Sequence, residues 1–162
     1  MKLKMLAISA LCGAMILTGC SKNGGSSVSD SSVSSSEQTL SVSEKTEKLL
    51  SEVDFPEMVG VTEDRFNFYY KADMTSVTGF SAYVCGSGAY PDEFGVFETE
   101  SDEAAGDFAK KLEDRIEKQR ETYTDYTPDE MYKFDDCFVK QNGKLVYYAI
   151  CADNVTAQDI LG

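Results

Sequence analysis

From Ser21 to about Ser43 the chain is mostly serine, with glycine and a few charges. A segment of that composition cannot bury enough apolar surface to offset its conformational entropy, so it is expected to stay disordered. Folding is thereby confined to the remaining stretch of about 120 residues, a length that fits one domain around one core. The sequence therefore divides into residues 1–19, a tether at 20–43 and a single globular domain at 44–162. A flexible tether of about 20 residues would have an r.m.s. reach of about 25 Å.

Residues 1–19 begin with Met1-Lys2-Leu3-Lys4 and continue into an apolar run from Leu6 to Leu17. That run is about 12 residues long, against the ~20 needed to span a bilayer as a helix. It closes on Leu17-Thr18-Gly19-Cys20. A basic start, a short apolar stretch and small residues at its end form an export pattern. The layout resembles the signal peptide and lipobox of bacterial lipoproteins, in which the cysteine is acylated and becomes the mature N-terminus. The resemblance implies lipidation at Cys20 and a place on the extracytoplasmic face of the cell membrane. Two or three acyl chains suffice for a stable anchor, whereas one binds reversibly.

Charge narrows the partners. The net charge is −13, from 15 basic and 28 acidic residues, and Lys2 and Lys4 lie in the leader, so the remainder stands at −15. Such a chain is repelled by phosphate backbones and anionic lipid, which argues against nucleic acid as a partner and leaves membrane attachment to the lipid. Beyond Cys12 and Cys20 there remain Cys85, Cys137 and Cys151, with no C-x-x-C spacing and no histidine anywhere. Zinc, a disulfide framework and a Ser–His–Asp site are all disfavoured by that count.

Within the globular part, Ser41 and Glu44 have the spacing of a capping box for a helix carrying Leu49, Leu50 and Val53, which should stop before Pro56. Phe66-Asn67-Phe68-Tyr69-Tyr70 shows no decisive period and reads as core more than as a recognition surface. Gly79–Cys85 and Glu93–Thr99 read as strands joined through Gly86, Gly88 and Pro91. Ala105, Phe108, Leu112, Ile116 and Tyr123 form one stripe on a helix from Ser101 to Tyr123, with Asp107–Lys111 and Asp114–Lys118 as i,i+4 pairs. Thr127-Pro128 marks a turn able to start a short helical segment. Asn142-Gly143 signals a second hairpin pairing Val139 with Val146, Phe138 with Tyr147 and Cys137 with Tyr148. That arrangement puts Cys137, Val139, Val146, Tyr148 and Ile150 on one face and Cys151 on the other, which disfavours a Cys137–Cys151 disulfide. Thr156 is placed to cap a last helix ending at Leu161. The expected fold is α+β, two antiparallel hairpins in one sheet, covered on one side by the long helix and the N-terminal helix.

Phe55-Pro56-Glu57-Met58, the strand around Ala82-Tyr83-Val84, Phe94-Gly95-Val96-Phe97, the charged helix and the Asn142-Gly143 hairpin together resemble a known family. It is an uncharacterised domain common in small lipoproteins of Gram-positive, low-GC bacteria, and the resemblance runs from about Leu49 to Asp153. The chain departs from the family in its abrupt C-terminus. The resemblance implies no activity and no functional residues.

The chemistry sought in the sequence is sparse. Gly86 and Gly88 make a G-x-G without the third glycine, lysine or following helix of a phosphate cradle. Asp92-Glu93 and Asp135-Asp136 are adjacent acids, which on a strand point to opposite faces and make poor joint catalysts or ligands. No catalytic, cofactor or metal site is expected. A non-catalytic module that binds an envelope protein or component fits best, with exposed aromatics such as Tyr69 and Tyr90 as contacts. A small-ligand or calcium-binding accessory lipoprotein comes second and a cell-wall hydrolase last.

Overall fold

The computed structural model describes residues 40–162; the leader and Cys20 lie outside them. Its first helix, α1 (Val42–Glu52), starts where the capping box places it: Ser41 Oγ accepts from the Glu44 N–H, and the Glu44 carboxylate accepts from the Ser41 N–H at 2.8 Å. Residues 42 and 43, assigned to the tether, therefore belong to the helix. α1 ends at Glu52, ahead of Pro56, and buries Leu49, with Val53 buried just past its end.

A short strand that the sequence reading missed follows, β1 (Met58–Gly60), and then a helix, α2 (Glu63–Tyr70). The aromatic stretch lies in this helix because Phe66 and Tyr70, four apart, share a face and are both buried. α2 ends at Lys71, held in the left-handed region at φ 51°.

The strands β2 (Val77–Cys85) and β3 (Glu93–Thr99) form the expected antiparallel hairpin, with an irregularity between Val77 and Gly79. α3 (Asp102–Tyr126) runs three residues beyond the expected end, and all five residues of its predicted stripe are buried. Its cap is Ser101, whose Oγ accepts from the Ala104 N–H at 3.1 Å. The two anticipated i,i+4 pairs are not made. Asp107 instead meets Lys110, and Lys111 donates to the Lys71 carbonyl.

A 3-10 helix (Pro128–Phe134) leads into β4 (Phe138–Asn142) and β5 (Leu145–Ile150). Their turn centres on Gly143-Lys144 rather than Asn142-Gly143, so Val139 pairs with Tyr148 and Phe138 with Ala149. The reason is that Gly143, at φ 58°, takes the first central position, the type II′ arrangement, while Asn142 stays in the strand. A slip of two residues preserves the faces. The last helix, α4 (Asn154–Leu161), is capped by Asp153, not Thr156; Asp153 accepts from the Thr156 N–H at 3.0 Å.

The sheet order is β1-β2-β3-β5-β4, antiparallel throughout. The layering differs from expectation, because helices cover both faces. α2 and α3 bury Phe66, Tyr70, Phe97, Phe108 and Tyr148 on one side, where Phe97 and Phe108 lie 4.8 Å apart. α1 and α4 bury Phe94, Val96, Ala149, Ala157 and Leu161 on the other. The central strands β3 and β5 are apolar on both faces, so a single layer of helices would have left one face wet. Each fully buried Phe or Leu contributes about 1.5–3 kcal/mol. Cys85, Cys137 and Cys151 are all free thiols, with Cys137 and Cys151 on opposite sides as anticipated.

Candidate functional site

One end of the sheet gathers the polar chemistry. β3 begins at Glu93, a buried charged residue next to the apolar run Phe94–Phe97, and the opposite face of the same chain turn carries Asp92. Both are 1% exposed. As their adjacency implies, they point apart and take different partners.

Glu93 faces α3. Arg115 grips it at both oxygens, Nε to Oε1 at 2.8 Å and Nη2 to Oε2, and Gln119 Nε2 adds a contact at 3.3 Å. The third arm of the guanidinium, Nη1, donates to the Tyr69 carbonyl at 2.8 Å, and the group lies over the Tyr69 and Tyr70 rings. Burial pushes the Glu93 carboxyl up from its ordinary value, against the pull of Arg115. For Arg115 burial works against the charge too, but the Glu93 carboxylate outweighs it and holds the guanidinium protonated. Beneath the pair, the Tyr70 and Tyr148 hydroxyls meet at 3.3 Å, both pushed up chiefly by burial.

Asp92 faces the other layer. Its Oδ2 accepts from Lys133 Nζ at 2.6 Å, and Glu130 approaches the same ammonium at 2.7 Å. Asn154 of α4 fastens this corner by donating to the Lys133 carbonyl at 2.8 Å while accepting from the Cys151 N–H at 3.1 Å.

Between the β2–β3 loop and α3 lies an open cleft of about 450 Å³, floored by Glu93 and Arg115 and flanked by Phe68, Tyr90 and Tyr123. The loop is held by Tyr123, whose hydroxyl reaches the carbonyls of Gly88 at 3.0 Å and Tyr90 at 2.9 Å. Gly88 turns at φ 66°, so the G-x-G is a hairpin loop, as anticipated. Cys85 sits where this loop begins. Burial raises its thiol, but the Ser87 hydroxyl at 3.3 Å and the N–H groups of Tyr90, Ser87 and Gly88 outweigh that and hold it below its ordinary value.

Of the aromatics expected as contacts, Tyr90 is 42% exposed, whereas Tyr69 is half-buried beneath Arg115 and gives its place to Phe68 at 62%. Asp135 and Asp136 are exposed and take no part in the cleft. Arg115, Gln119 and Lys133 were not anticipated. The seven-residue gap in the α3 stripe between Ile116 and Tyr123 was the available signal, for Gln119 turns inward there. Among the described residues, no three acidic, cysteine or histidine side chains converge as a metal site, and no helix is long and apolar enough to cross a membrane.

Neither a search of the curated proteins nor one of the solved structures found a match. A family model does match, over residues 51–151, a span that contains every residue of the cleft and leaves α4 outside. The chain thus belongs to the family described as a domain of unknown function (DUF4358), an uncharacterised domain as the resemblance implied.

Proposed function

We propose that the protein is a non-catalytic interaction module, anchored by acyl chains on Cys20 to the extracytoplasmic face of the cell membrane and projected by the serine-rich segment. The observation that carries the reading is a grouping of exposed aromatics that extends from Tyr90, in the cleft wall, to residues beyond it. Tyr90, Tyr126 and Tyr132 are 42%, 65% and 53% exposed. They are linked through Lys133, which lies over the rings of Tyr90 and Tyr132, and through Tyr123, which contacts Tyr126. Exposed aromatics supply large contact area at low entropic cost, and such residues dominate binding hot spots. The two buried carboxylates nearby are each matched by a cation, which suits a scaffold better than a proton donor.

The test is site-specific photocrosslinking in cells, with a benzophenone side chain at Tyr132, at Tyr90, or at Val155, which is exposed on α4. One protein captured from the first two positions and not from Val155 supports the module. Equal capture from all three positions, or none, refutes it. Membrane fractionation of Cys20→Ala tests the anchor, since the variant should lose the membrane pellet. A second reading, small-ligand binding, is favoured by the cleft volume, which falls in the range of small-molecule sites.

A further inference from the structure

Beside the cleft, and sharing Arg115 with it, a groove of about 270 Å³ runs between α2 and α3. Its charge is opposite to that of the protein. In a chain of net charge −13, the groove is lined by Lys71, Lys111, Arg115 and Lys118, with Asp114 as its one acid. Three of these cations are set by helical spacing, since positions 111, 115 and 118 recur at four and three and share a face of α3. The fourth, Lys71, is brought across by the left-handed turn that ends α2.

These cations are not equivalent. Arg115 is neutralised by Glu93 and forms part of the floor. Lys71, Lys111 and Lys118 make no ion pair within 4 Å among the described residues, so against Asp114 in the lining and Asp73 near Lys111 the groove keeps a net positive charge. The sequence offers Asp107 and Asp114 at the right spacing to neutralise Lys111 and Lys118, and neither pair forms. Lys111 reaches instead for the Lys71 carbonyl, which draws the two lysines toward one place.

The wall is aromatic. Phe68 is 62% exposed and lies edge-to-face with Tyr69 at 5.1 Å, with Lys71 5.3 Å from the Phe68 ring centre. An exposed phenyl ring beside free ammonium groups offers a flat apolar face and a positive rim within one small recess.

We propose that the α2–α3 groove binds a small organic anion. The flat apolar body of the ligand lies against Phe68 and Tyr69, and its carboxylate or phosphate is held by Lys71, Lys111 and Lys118. The size of the groove suits one or two rings rather than a polymer. This deepens the binding-module reading by naming a ligand class, and the two fail separately, because the crosslinks at Tyr90 and Tyr132 do not depend on these lysines.

The experiment uses the full chain and two fluorescent probes of similar shape. One is the anionic 8-anilino-1-naphthalenesulfonate and the other the uncharged N-phenyl-1-naphthylamine. Saturable binding of the sulfonate is expected, weakened about tenfold or more in the double variant Lys111→Glu/Lys118→Glu and weakened by rising salt. Phe68→Ala should weaken it as well. All three substitutions are at exposed positions, so an unchanged melting curve separates loss of the site from loss of the fold. Phenyl phosphate should displace the bound sulfonate, and phenol should not. Failure of the sulfonate to bind, equal binding of the uncharged probe, or undiminished binding in the charge-reversed variant overturns the proposal. Capture of the wild type, but not the variant, on phosphatidylglycerol vesicles in place of displacement by phenyl phosphate would also overturn it, assigning the face to a membrane surface.

Discussion

Removing Arg115 should be among the most damaging single changes in the domain, and more damaging than removing its partner. The Glu93 side chain is 1% exposed and that of Arg115 15%. Arg115→Met leaves a carboxylate in the sheet with only the neutral Gln119 amide and Tyr148 hydroxyl to answer it, and breaking a buried pair in this way costs about 3–5 kcal/mol. Glu93→Gln leaves a guanidinium that still bonds the Tyr69 carbonyl, rests on two tyrosine rings and touches solvent, so its cost should be nearer 1–3 kcal/mol. Either figure is a large share of the roughly 5–15 kcal/mol that holds a domain folded. The acid also writes a pH signature. With Arg115 gone, burial acts unopposed by that cation on a carboxyl already raised above 4.5 in the folded state. A raised carboxyl binds its proton more tightly when folded, so stability is retained at low pH and lost as pH climbs from the unfolded to the folded pKa. The deficit of Arg115→Met should therefore widen as pH climbs above 4.5. Urea unfolding followed by circular dichroism reads it directly, since the chain has no tryptophan to report. Equal deficits for the two variants, or a deficit that is flat with pH, would refute the reasoning.

Gly95 faces Ala82 across the hairpin, and a Cβ there would lie 2.8 Å from the Ala82 Cβ and 2.9 Å from the Phe97 ring. Gly95→Ala should thus cost about 1–3 kcal/mol by overpacking, measured as a lowered urea midpoint with an unchanged slope. Site-resolved alkylation with iodoacetamide should modify Cys85 before Cys151, because the first thiol is held below its ordinary value and the second is pushed up to about 12 by burial. Glu44 is held below 4.5 by the Ser41 hydroxyl and N–H, so the stability it adds is present above that value and lost as pH falls through its folded pKa. The melting-temperature gap between wild type and Glu44→Ala should accordingly be open at neutral pH and narrow as pH falls below 4.5.

The elements legible in the sequence were those whose signals are local. The Ser41–Glu44 box, the α3 stripe and the β2–β3 hairpin depend on residues within a turn or two of one another, and each forms where expected. β1 escaped because three residues at a sheet edge carry too little pattern. α2 escaped because its aromatic run masks the one informative spacing, Phe66 to Tyr70. The two-sided covering of the sheet was written in Phe94–Phe97 and Val146–Ile150, runs without the polar alternation of a half-wet strand. The cleft was the least legible part. Its ion pairs join Glu93 to Arg115 and Asp92 to Lys133, and nothing local in either acid names a cation so far along the chain. The anion groove was hidden for a related reason, since the sequence supplied acids for Lys111 and Lys118 that the fold does not use.

The order of strands has a consequence for when this chain can fold. β5 is the last strand made, yet it sits between β3 and β4 and carries core residues on both of its faces. A nascent chain lacking it holds a hairpin and a long helix with no floor to close upon. The sheet cannot close until β5 is available, because loop closure over that distance precedes any reward from the contacts. A chain built in this way completes the centre of its sheet in one late step.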